Sequence, residues 1–149
     1  MYEPIRTKSV HTMAGTADFP HRSREEELDI QLAGHLAALL AVTDELRGLE
    51  PSASAELDAA AERLAEQVTR LRGGRPPVRA AVASAVGGGR GPVSAGLHQR
   101  AHALAGRALV VAASRADTAG AILAAQRMDA HAAAVAVAAA AAEPALTVG

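Results

Sequence analysis

The chain has 149 residues, 15 basic against 16 acidic side chains, a formal net charge of −1, half of its residues apolar, one Tyr, one Phe and no Cys. This length suits a single domain that buries roughly 70% of its unfolded surface. The lack of cysteine excludes disulfides, thiolate metal sites and cysteine nucleophiles, and fits a reducing, cytoplasmic compartment.

Residues 1–22 have no helical or strand periodicity and are punctuated by Pro4, Gly15 and Pro20. They predict an extended or disordered tail. No signal-peptide core is visible in them. Both aromatics, Tyr2 and Phe19, lie here with Ile5, Val10 and Met13, more apolar character than a merely solvating tail needs.

A first helix is predicted over 23–49. Ser23 is a favourable N-cap, Glu26 three residues on completes a capping box, and the acids of the first turn suit the positive end of the helix dipole. Leu28, Leu32, Leu36, Leu39, Val42, Thr43 and Leu46 form one stripe at 3.6 spacing, and Gly48 and Pro51 end it. A second helix is predicted over 53–72, capped by Ser52 or Ser54, with the seam Leu57, Ala61, Leu64, Val68 and Leu71 and the stop Gly73-Gly74. The short link makes the two an antiparallel hairpin.

Pro76-Pro77 opens a short amphipathic helix in which Val78, Val82 and Val86 repeat every four residues, followed by a glycine-rich loop over 87–92. A third helix starts near Ser94 with the stripe Leu97, Ala101, Leu104, Ala108 and Val111. Asp117-Thr118 reads as the cap of a fourth, which reaches about Ala142 before Pro144. No proline separates the two, but an unbroken helix from Ser94 onward would be about 73 Å long, which favours a break near Ala116. The most apolar run, residues 130–142, contains His131 and is shorter than the about 20 residues of a membrane span. The expected architecture is an all-α, antiparallel bundle of about four main helices plus a short one over 23–143, with the tail at 1–22.

Charge is unevenly placed. Residues 25–62 hold ten acids and one arginine they can pair with, Arg47, before Arg63; residues 67–116 hold eight arginines and no acid. The two halves can neutralise each other inside the bundle. Alternatively, the arginines between Arg70 and Arg115 could meet an anionic partner. Nucleic acid is not the expected one, since the helices carry no aromatic for base stacking and show no helix-turn-helix pattern.

Candidate ligands are few. His35 falls within the first helix's apolar stripe, and His98 and His102 stand at i, i+4, the spacing of two metal ligands on one face. A transition metal is the cofactor they would take. Gln99 stands where a zinc protease motif needs glutamate, no helix carries Glu-x-x-His, and Glu27, Asp44 and Glu45 are expected to project away from the stripe. Asp129 and His131, two apart, point in different directions on a helix and are set aside. The 87–91 glycines lack the following Gly-Lys-Ser/Thr of a phosphate-binding loop. Ser84, Ser94 and Ser114 have no histidine and acid at motif spacing, so nucleophilic catalysis is not expected.

The segments MYEPIRTKSVHTM and FPHRSREEELDIQLAGHLAALLAVTDEL resemble a family of small helical proteins from high-GC bacteria. The resemblance covers the tail and the first helix. It implies a small stand-alone bacterial protein and carries no activity, cofactor or functional residue to this chain. The resulting expectation is a non-catalytic interaction or accessory protein that self-associates, most simply as a dimer, with Tyr2, Ile5 and Phe19 contacting a protein partner.

Overall fold

Ser23 caps the first helix as the spacing requires. Its hydroxyl accepts the Glu26 N–H (3.1 Å) and its own N–H is bound by the Glu26 carboxylate (2.9 Å), so two of the donors that a helix start leaves unpaired are satisfied. The computed structural model describes residues 22–81 and 90–142. It holds helix α1 (Arg24–Leu49), a 3-10 turn (Pro51–Ala53), and helices α2 (Ser54–Leu71), α3 (Arg90–Arg115) and α4 (Thr118–Ala142), with no strand among the described residues. None of these helices is long and apolar enough to cross a membrane.

α1 packs on both α2 and α3. Its buried arc is accordingly wide: Leu32, Leu36, Leu39 and Leu46 are fully buried, with Leu40 and Val42 nearly so. α2 answers with Leu57, Leu64 and Val68. α3 and α4 contribute mostly alanine (Ala101, Ala105, Ala108, Ala112 and Ala124) beside Leu104 and Leu123. Burying a leucine contributes about 1.5–3 kcal/mol, and alanine far less, so the α1–α2 leucines supply most of the hydrophobic stabilisation while the alanines let α3 and α4 approach closely.

The ion pairs give the helix directions. Arg115 near the end of α3 meets Asp29 near the start of α1, and His98 near the start of α3 meets Glu50 just after α1. Arg70 at the end of α2 meets Asp117 before α4, whereas Glu56 at the start of α2 meets Arg127 further along α4. Every neighbouring pair therefore runs antiparallel. Around the bundle the order is α1, α2, α4, α3, with three well-packed sides and a thin fourth where α2 meets α4. His131 of α4 lies level with Glu50 at the α1–α2 elbow. Residues 132–142 continue for about 16 Å past it, and the first two turns of α3 run beside them. The α3–α4 pair thus overhangs the α1–α2 pair.

Two helix ends close by the same device. At α2, Gly73 (φ 68°) lets Gly74 N–H reach the Thr69 carbonyl (2.8 Å). At α3, Ala116 takes the equivalent left-handed position (φ 58°), and Asp117 N–H reaches the Ala112 carbonyl (2.8 Å). Asp117 then caps α4, its carboxylate accepting the Gly120 N–H at 2.9 Å. The break expected near Ala116 is where the chain turns. Gly120 matters because a Cβ there would lie 3.2 Å from Leu32 of α1.

Some boundaries differ from expectation. Neither Ser52 nor Ser54 caps α2. Ala53 holds that position with no side-chain hydrogen bond, because Pro51 starts a 3-10 turn that leads directly into the helix. The short helix expected after Pro76-Pro77 is not formed over residues 75–81, and its remainder lies outside the described residues. α3 begins at Arg90, not near Ser94, taking in Gly91 and Pro92. Proline lacks only an N–H that the first turn leaves unpaired anyway.

A non-glycine residue in the left-handed region is strained, so Ala116→Gly is expected to stabilise the protein by about 0.5–1 kcal/mol, net of the greater freedom glycine gives the unfolded chain. A urea midpoint that stayed level or fell would show that position 116 carries no strain.

Candidate functional site

Where the overhang begins, the end of α1, the starts of α2 and α3 and the middle of α4 bring together a cluster of polar side chains, of which His98, Arg127 and His131 are buried. His98 of α3 and His131 of α4 face each other, Nδ1 to Nδ1, at 2.9 Å, with ring centroids 5.1 Å apart. Both oxygens of Glu50 lie 3.0 Å from His98 Nε2. On the other side His131 Nε2 is 3.3 Å from a terminal nitrogen of Arg127, whose other terminal nitrogen pairs with Glu56 of α2. Arg127 is only 2% exposed, and its Nε is buried without a partner. Such an unpaired donor costs about 1–3 kcal/mol.

Elementary proton counting orders this chain. A carboxylate only accepts and a guanidinium only donates. His98 must therefore carry its proton on Nε2 toward Glu50, and His131 Nε2 must accept from Arg127, which puts the His131 proton on Nδ1. The Nδ1–Nδ1 contact then has one donor, His131, and one acceptor, His98. With both rings neutral every bond is satisfied. Burial first, then the Arg127 guanidinium, then His98 and His102, push the His131 pKa down from 6.5 to about 3, in keeping with a neutral ring.

A second polar cluster lies on the other face of α1. Asp44 accepts from Arg79 (3.0 and 2.8 Å) and from Arg47 (2.8 Å), which also reaches Asp58. Burial alone would raise the Asp44 carboxyl, but the bonds from Arg79 and Arg47 outweigh it and hold it below 3.8. Asp117 behaves alike: burial raises it, and Arg70 with the Gly120 N–H brings it below 3.8. Arg79 also walls a groove of about 640 Å³ with Leu40, Asp44 and Leu97. A second, more open groove of about 700 Å³ lies in the overhang. Glu50, Pro51 and His98 form its floor, and Ala134, Val137 and Ala138 are among its walls.

The structure redistributes the residues singled out from sequence. His35 is only half-buried beside the fully buried Leu32, Leu36 and Leu39, so it sits at the side of the stripe, not at its centre. His98 turns inward to His131 and Glu50, while His102, one turn on, is half-buried. Among the described residues, no group of three or more His, Asp and Glu side chains is arranged to hold a metal ion. Asp44 does not project away from the stripe but is buried against two arginines. Tyr2, Ile5 and Phe19 lie outside the described residues. Of the arginines between Arg70 and Arg115, Arg70, Arg79 and Arg115 pair with Asp117, Asp44 and Asp29 of the same chain. Glu50, Glu56, Arg127 and His131 were not legible as a site. Their one signal was Arg127 and His131 at i, i+4, on one face of an otherwise alanine-rich helix.

Asp44→Ala leaves Arg79 without its partner and is expected to cost about 1–3 kcal/mol in chemical denaturation. Because the folded-state pKa values of Asp44 and Asp117 are depressed, their contribution is complete above pH 3.8 and is lost as pH falls through the lower folded values. The Asp44→Ala protein should therefore lose less stability than the parent below pH 3.8; equal losses would show that Asp44 is not the linked group. Comparison with protein-family models, curated proteins and solved structures finds no match to this chain.

Proposed function

We propose that this is a non-catalytic, self-associating interaction protein whose α3–α4 overhang pairs with the same overhang of a second copy. The observation that carries the reading is the incomplete cross-section of the bundle. Below the level of His131 four helices enclose the core; above it, among the described residues, only α3 and α4 continue. Residues 132–142 are alanine and valine throughout, with Val137 69% exposed, and Val93 of α3 is 54% exposed.

A helix that is apolar on all sides is normally covered on all sides. A second copy related by a two-fold axis supplies two further antiparallel helices, completing a four-helix layer between the subunits. The uncharged walls suit an equally uncharged surface, and their alanines permit close helix approach. Glu50, the charge at the groove floor, is already engaged by His98. The relay itself supports a non-catalytic role: all four ring nitrogens of His98 and His131 are engaged inside the protein, so neither ring is free to take a substrate proton.

Light scattering on the purified chain is expected to give twice the 15.1 kDa monomer mass. Val137→Glu, at an exposed position harmless to the monomer, should halve the mass at unchanged helicity. A monomeric parent throughout the micromolar range would overturn the reading.

A further inference from the structure

We propose that the Glu50–His98–His131–Arg127 chain is an acid-operated latch: taking up one proton, it undocks the C-terminal half of α4 from α3 and the α1–α2 elbow while the rest of the bundle stays closed.

The geometry has one satisfied proton arrangement, required independently from both ends. A further proton on the imidazole rings can enter only at His98 Nδ1 or His131 Nε2. At His98 it places two N–H groups head to head across 2.9 Å. If His131 relieves that collision by moving its own proton to Nε2, the clash passes to Arg127 across 3.3 Å. A proton added directly at His131 Nε2 meets the same guanidinium. No state with an extra proton on a ring keeps all the bonds, and the rings would then hold positive charge beside a buried arginine. The groups that face the pair are Glu50 following α1, Glu56 from α2, His98 and His102 from α3, and Arg127 from α4. An extra proton on His98 therefore breaks either the His98–His131 bond that joins α3 to α4 or the His131–Arg127 bond within α4.

The release is local because His131 is the last buried residue of α4. Beyond it nothing polar anchors residues 132–142. The first half of α4 remains fixed by Leu123 and Ala124 in the core and by Asp117 with Arg70 at its start. A segment held by one polar cluster and few buried apolar contacts belongs to the low-stability end of a structure. Undocking returns His131 to its ordinary value of 6.5, so the undocked population grows about tenfold per pH unit below that. The two depressed carboxylates act only below 3.8, outside this window.

Hydrogen exchange on the full chain, read by mass spectrometry at pH 7.5 and 5.5 and corrected for intrinsic rates, tests it. Peptides from residues 128–142 should lose protection about tenfold at pH 5.5, while α1 and α2 peptides stay unchanged. The double variant His98→Gln/His131→Gln, whose amides donate and accept without titrating, should lose this pH response, and His102→Gln should keep it. A uniform change across all helices, a response that survives in the double variant, or one abolished by His102→Gln would overturn the proposal. Should the double variant fail to fold, imidazole ¹⁵N NMR of the parent at pH 7.5 decides. The proton on His131 Nδ1 and His98 Nε2 is expected; a proton on His98 Nδ1 would refute the latch.

Discussion

The arrangement depends on the backbone reversal at Ala116–Asp117. Without it, residues 90–142 would form one rod of about 80 Å. With it, α4 folds back along α3 in a register that sets His131 against His98. Ala116 accepts the left-handed conformation so that two otherwise unpaired N–H groups reach carbonyls of the last α3 turn, and Asp117 immediately caps the next helix while binding Arg70. Three residues thus end one helix, start another and tie the junction to α2. The register they impose decides which side chains meet some 20 Å away.

The core is divided between two kinds of helix. α1 and α2 carry leucine and bury it deeply; α3 and α4 carry alanine and gain closeness instead of area. Alanine interfaces discriminate weakly between registers, since one small side chain packs much like the next. The buried polar chain compensates: Glu50, His98, His131 and Arg127 fit only when all their helices are in register. The best-attested use of a buried polar group is to fix register, through its requirement for matched partners.

Much of this fold was legible in the residues. The capping box at Ser23, the leucine stripe of α1, the Gly73-Gly74 stop and the turn before Asp117 are local signals, and local chemistry determined them. Helix length argued for the break at Ala116 even without proline. The starts of α2 and α3 were less legible because a proline in a first turn opens a helix as readily as a serine cap does. The polar chain was the least legible. Its members come from three separate places, the end of α1, α3 and α4, and His98 has as its partner a histidine 33 residues away instead of the one four residues along. Sequence spacing reports on one helix face at a time. Asp44 shows the same limit: its burial depends on Arg79, which arrives from outside any helix.

The thin side between α2 and α4 bears on how the chain reaches this state. Contacts fall mainly within two hairpins, α1–α2 and α3–α4, and across the single face where α1 meets α3. Each hairpin forms from neighbours close in sequence, so the loop-closure entropy of its assembly is small and its formation is fast. The one distant step is the meeting of the two hairpins, tethered by residues 72–89. Closure entropy grows only logarithmically with tether length, so doubling that connection adds only about 0.6 kcal/mol to the step. Folding speed is then governed less by the connection than by how well the leucine face of α1 captures the alanine face of α3.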